Sequence, residues 1–214
     1  MAATVLCGAC QSEGSLSWSA SPGATIPDNS PDAGAASDIY IAPGDSQLSG
    51  IVNPSVASVA SIQFNITGGW DGDFTVVLSH TDGTTSQSLT LLKMLSGGAA
   101  ANSGFNNVTL ATGNTDINSA ASSSSTAAIS GAWAPQGGVN FSSFQNISPR
   151  GDWLLYVTDN AAGDHGVLSG WSLNLDVVPE PVNVALGIFG GMMAILAFAR
   201  SKWAKLLFEE KPKC

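Results

Sequence analysis

Five aspartates and one asparagine stand where this 214-residue chain turns. Asp71, Asp73 and Asp82 lie around two Gly-containing turns of the first half, while Asp159, Asn160 and Asp164 bracket a six-residue turn of the second. Calcium takes several hard oxygen ligands, and turns supply carboxylates and free backbone carbonyls together, so Ca2+ is the cofactor that Asp71, Asp73, Asp82, Asp159 and Asp164 could hold. The same residue types also make turns through side-chain bonds to their own backbone, and no EF-hand or nonapeptide spacing separates the two readings. Trp70, in a Gly-rich turn, and Trp133, beside Pro135, are the tryptophans expected to be exposed for ligand stacking, whereas Trp153 and Trp171 fall on core-period positions.

Hydrolytic chemistry finds no such set. His80 and His165 are the two histidines. Asp82 and Asp164 stand near them in sequence, but no serine nucleophile joins either pair, and adjacent Asp164 and His165 would point to opposite faces of a strand, so neither pair makes a triad. Gly44-Asp45-Ser46 imitates a serine-nucleophile run without the residues that normally follow it, and no G-x-S-x-G elbow is present. No catalytic residue is assigned, and the chain is expected not to be an enzyme. Cys7 and Cys10 form a lone C-x-x-C with no second pair for zinc. Arg150-Gly151-Asp152 reads as a turn into the next strand.

The elements that must hold these residues are strands. Ile62, Phe64 and Ile66 alternate with polar residues, and so do Phe74, Val76 and Leu78. Thr81-Asp82-Gly83-Thr84 is a hairpin turn, after which Leu89 with Leu91, Val108 with Leu110, and Trp153, Leu155 and Val157 repeat the period. Trp171, Leu173, Leu175 and Val177 form the cleanest strand. Seven or so short strands without a long amphipathic helix indicate an all-β chain, an antiparallel β-sandwich. Residues 11–44 are expected to be an irregular arm with one strand, and residues 113–131, rich in Ser, Ala and Asn, a long surface loop without a packed core of its own.

Charge divides the chain in two. Up to Pro181 it carries two basic and fourteen acidic residues; after it, five basic and two acidic. An acidic chain without a basic stripe repels phosphates, so nucleic acid is excluded as a partner. Residues 182–199 hold no charge and as a helix would be about 27 Å long, close to the thickness of a bilayer core. Arg200, Lys202 and Lys205 follow at once, so a single transmembrane helix with its C-terminus cytoplasmic is expected.

Val178-Pro179-Glu180-Pro181, then the hydrophobic span, then the basic cluster resembles the bacterial PEP-CTERM sorting signal. That resemblance implies export, anchoring in the cell membrane, processing by an exosortase, and a place on the cell surface or in an exopolysaccharide matrix. A second resemblance rests on Phe144 to Asp159, with Pro149, Gly151 and Trp153, and on Gly163-Asp164-His165-Gly166 through Trp171 to Leu173. Together with Gly72 to Val76 and Ser79 to Thr84, these residues look like the proprotein convertase P domain (P/Homo B), which implies a jelly-roll β-sandwich. The expected organisation is an N-terminal segment 1–21 left from a signal peptide, a P-domain-like sandwich 22–177, a sorting signal 178–205 and a cytoplasmic tail 206–214. The expected function is an exported, non-catalytic surface or matrix module. The alternatives are an accessory P domain of a subtilisin-like serine protease system and a calcium-dependent carbohydrate-binding module.

Overall fold

Period-two alternation of apolar and polar residues produces strands with one buried face each. The computed structural model describes residues 15–96, 102–120, 127–179, 189–193 and 195–196. Ten strands are formed among them: β1 (Ser15–Ala20), β2 (Ala24–Thr25), β3 (Ala35–Ile41), β4 (Pro54–Trp70), β5 (Phe74–Thr81), β6 (Ser86–Lys93), β7 (Asn102–Leu110), β8 (Ile129–Trp133), β9 (Gly151–Asp159) and β10 (Val167–Pro179). They make two sheets. One runs β1-β10-β4-β7-β8 with β2 also on β10, and the other runs β3-β9-β5-β6.

The inner faces meet in a single apolar core. Ile62, Phe64 and Ile66 of β4 face Phe74, Val76 and Leu78 of β5, with Trp153, Leu155 and Val157 of β9 and Leu173 and Leu175 of β10, all buried. Phe105 sits between the sheets, 5.4 Å from the Phe64 ring and 6.1 Å from that of Phe74. Trp171 crosses the core: its indole N–H donates to Ser37 Oγ at 3.0 Å, a bond from β10 of one sheet to β3 of the other. Burial strengthens such a bond, because neither group has water as an alternative.

Three expectations are corrected here. Residues 11–44 supply β1, β2 and β3 rather than one strand; β1 pairs with β10 from Ser15↔Asp176 to Ala20↔Trp171, so the sheet begins before residue 22. Polar outer faces and short lengths hide these strands, since Ser and Asp positions carry no periodic signal. The expected loop 113–131 is not bare surface: Ile117 is buried in the core, and β8 begins at Ile129. β8 also pairs with β7 in parallel, Phe105↔Ile129 through Leu110↔Trp133, which the all-antiparallel expectation excluded.

The C-terminal expectations fall mostly outside the described residues. Val178 and Pro179 close β10, opposite Ser55 and Pro54, whereas Glu180, Pro181, Arg200, Lys202 and Lys205 lie outside, as do residues 1–14 and 206–214. Residues 189–193 and 195–196 are helical. Among the described residues no helix is long and apolar enough to cross a membrane.

Candidate functional site

Three connections pass from one sheet to the other at the same end of the sandwich: β2 to β3, β4 to β5, and β9 to β10. They are tied together by backbone bonds, Ile26 N–H to the Gly166 carbonyl at 2.8 Å, Ser30 N–H to the Asp159 carbonyl at 2.8 Å, and Asn160 N–H to the Asp73 carbonyl at 2.9 Å. The β4–β5 turn is sharp enough to need glycine. Gly69 has φ of 79°, and a Cβ there would collide with the Phe74 ring.

Each connection delivers carboxylates to this end. Asp73 comes from the β4–β5 turn, Asp159 from the end of β9, Asp164 from the β9–β10 turn, and Asp28 from the β2–β3 connection. Two of them brace a neighbouring connection rather than their own. Asp164 Oδ1 accepts from Trp70 N–H at 2.9 Å, and both Asp28 oxygens accept from Gly163 N–H at 3.1 and 3.3 Å. Asn160 Nδ2 donates to the Asp73 carbonyl at 2.6 Å and to Thr75 Oγ1 at 3.0 Å. Asp159 is fully buried: its Oδ1 accepts from Ala161 N–H at 3.2 Å, and its Oδ2 has no partner.

Crowded like charges disfavour ionisation. Burial pushes the Asp73 carboxyl up, and the charges of Asp164 and Asp28 push the same way. Burial also raises Asp159; the Ala161 amide opposes this, and Asp164, Asp73 and Asp28 add to it. As they stand, no three His, Cys, Asp or Glu side chains among the described residues are close enough to share one metal ion.

Of the five aspartates singled out from the sequence, the structure thus groups Asp73, Asp159 and Asp164. Asp82 sits at the other end of β5, about 26 Å away along an eight-residue strand. There its Oδ1 accepts from the N–H groups of Thr84 at 2.8 Å and Thr85 at 2.6 Å, the turn-making role that its residue type allows. Asp71 is 1% exposed and does not contribute to the charge felt by Asp73 or Asp159. Neither of its oxygens makes a hydrogen bond of ordinary geometry. Burial pushes its carboxyl up to about 7, with the Gly104 backbone amide opposing.

Asp28 was missed because it lies in the stretch read as an irregular arm. The signal that could have found it is the turn sequence Pro27-Asp28-Asn29, where Asn29 adopts a left-handed φ of 47°. The tryptophans separate as well. Trp70 is 42% exposed beside Asp164, while Trp133 packs half-buried on the core with its indole N–H donating to the Ser130 carbonyl at 2.8 Å.

The residues of the hydrolase test are scattered. His80 is buried, stacked 4.2 Å from Trp153, with Nδ1 3.2 Å from the Asp152 carbonyl. His165 is exposed in the β9–β10 turn. Ser46 begins a 3-10 turn whose preceding residue, Asp45, accepts from the Trp18 indole at 3.1 Å and from Gln47 N–H at 2.8 Å.

Compared with known families, residues 57–175 match the proprotein convertase P-domain. No curated protein matches the chain. Among solved structures it is similar to the crystal structure of the Aeromonas sobria serine protease and its chaperone in complex, at 15% identity and a TM-score of 0.44 over 77% of this chain. The chain spans 26% of the length of that solved chain.

Proposed function

This chain belongs to the proprotein convertase P-domain family, and from that premise we propose that it is a non-catalytic binding and structural module displayed outside the cell. The observation that carries the reading is the family match, which runs from within β4 to within β10 and takes in both sheets. Jelly-roll winding of those sheets is part of the same proposal. The histidines and Ser46 fit it too, since they stand in separate parts of the fold and His80 is committed to core stacking.

The proposed route outward is sorting through Val178-Pro179-Glu180-Pro181, with residues 182–199 holding the chain in the membrane and Arg200, Lys202 and Lys205 on the cytoplasmic side until an exosortase acts. Supporting this are the charge division of the sequence and the exposure of Phe189, Met192, Met193, Ile195 and Leu196, an apolar surface suited to lipid. An exopolysaccharide is the proposed matrix partner. A groove of about 260 Å³ on the outer face of the larger sheet is lined by Ser19, Gln63, Asn65, Asn107, Ser169 and Ser172, uncharged donors and acceptors that suit a polymer of hydroxyl groups.

The test is the mass and location of the mature protein in fractionated native cells. A protein released with its C-terminus near Val178 to Pro181 supports sorting and release. A full-length chain retained in the inner membrane overturns that part of the proposal. The family match also favours a second reading, an accessory P domain for a separate subtilisin-like serine protease; deletion of this gene would then lower a secreted proteolytic activity, and an unchanged activity removes the reading.

A further inference from the structure

Asp28, Asp73, Asp159 and Asp164 gather at one end of the sandwich with no cationic side chain among them. Lys93 and Arg150 are the lysine and arginine among the described residues, and neither contributes to the charge felt by Asp73 or Asp159. Asp159 supplies a second, independent observation: the residue is 0% exposed, and its Oδ2 has no hydrogen-bond partner. A buried carboxylate oxygen is retained only where something compensates the lost hydration, and here the charges acting on it are those of three further carboxylates. We propose that this end of the sandwich binds one divalent cation of the calcium type, with Asp159 as its fixed ligand and Asp73, Asp164 and Asp28 closing on it from the surrounding turns.

The donor set points to calcium by its chemistry. It consists of hard carboxylate oxygens, and calcium accepts six to eight oxygen ligands in irregular geometry, whereas magnesium demands a near-ideal octahedron. Sharing one ion requires the carboxylates to approach one another from their present positions. That movement falls on side chains, because the turns are already tied by the Ile26–Gly166, Ser30–Asp159 and Asn160–Asp73 backbone bonds. Asp73 and Asp164 are half-exposed and Asp28 is exposed, so all three have room to turn toward Asp159. The site does not depend on which partner the module serves.

The experiment titrates the metal-free full chain with calcium chloride alone, following the melting temperature and tryptophan fluorescence. Saturation is expected to raise the melting temperature by roughly 5–10 °C at a hundredfold excess over Kd. The fluorescence change is expected to disappear in Trp70→Phe, since the Trp70 amide is bonded to Asp164. Asp159→Asn abolishes the shift. Should that variant not fold, the paired change Asp73→Asn with Asp164→Asn, both half-exposed, abolishes it in a folded protein. Asp82→Asn, at the far end of β5, keeps the full shift. No response up to about 10 mM, beyond the range of extracellular calcium modules, overturns the proposal. So does a response that survives the paired change, or one that Asp82→Asn removes as fully as Asp159→Asn.

Discussion

Asp71 offers the sharpest test of how this fold treats a buried charge. It is 1% exposed, neither oxygen makes a hydrogen bond of ordinary geometry, and its carboxyl is raised from 3.8 to about 7, mainly by burial, with the Gly104 backbone amide opposing. Because the folded value lies above the unfolded one, the native state holds the proton more tightly. The stabilising contribution is therefore complete below about pH 4 and is lost as pH climbs through about 7. A rise of about three units corresponds to roughly 4 kcal/mol at about 1.4 kcal/mol per unit, and relaxation with water entry reduces this to about 2 kcal/mol. Asp71→Asn removes the titration and leaves an amide whose burial cost does not vary with pH. Urea unfolding of both proteins at about pH 4.5 and pH 8 is the assay, and the readout is the difference between their pH dependences. Wild type should lose about 2–4 kcal/mol more than the variant across that interval. Two curves parallel within about 0.5 kcal/mol would mean that the carboxylate has compensation, and the reasoning would be wrong.

Other consequences can be checked in the same way. His80 is held below its usual pKa, first by burial, so its stabilising contribution is present above 6.5 and lost as pH falls; His80→Phe, still able to stack on Trp153, should show a weaker loss of stability in acid melts. Gly69→Ala forces a positive φ onto alanine and a methyl into the Phe74 ring, and should cost about 2–4 kcal/mol in urea unfolding. Trp171→Phe removes the bond to Ser37 and should cost about 2–3 kcal/mol, with Ser37→Ala strongly non-additive in a double-mutant cycle; additive effects would show that the bond carries little.

Legibility followed locality. The strands of β4, β5, β9 and β10 are plain in the sequence because their apolar residues recur every second position, and the core at Phe64, Phe74, Trp153 and Trp171 follows directly. The Asp82 hairpin is equally local, its side chain bonding amides two and three residues on. β1, β2 and β8 were not legible, since their few apolar residues acquire a buried face only when a neighbouring strand lies beside them. The same holds for the tryptophans, of which Trp133 packs half-buried on the core while Trp70 is exposed.

The carboxylates mark the boundary between the two kinds of information. Asp71 and Asp73 flank one glycine in the same turn, yet the first is buried and apart from the others while the second joins Asp159, Asp164 and Asp28. Residue type and turn signals determined that acidic side chains would stand at chain reversals, because the bonds that make a turn span two or three residues. Which of them meet was decided by three crossings between the sheets at one end of the sandwich. Those crossings bring together positions as far apart as Asp28 and Gly163, a proximity that exists only once the core has closed.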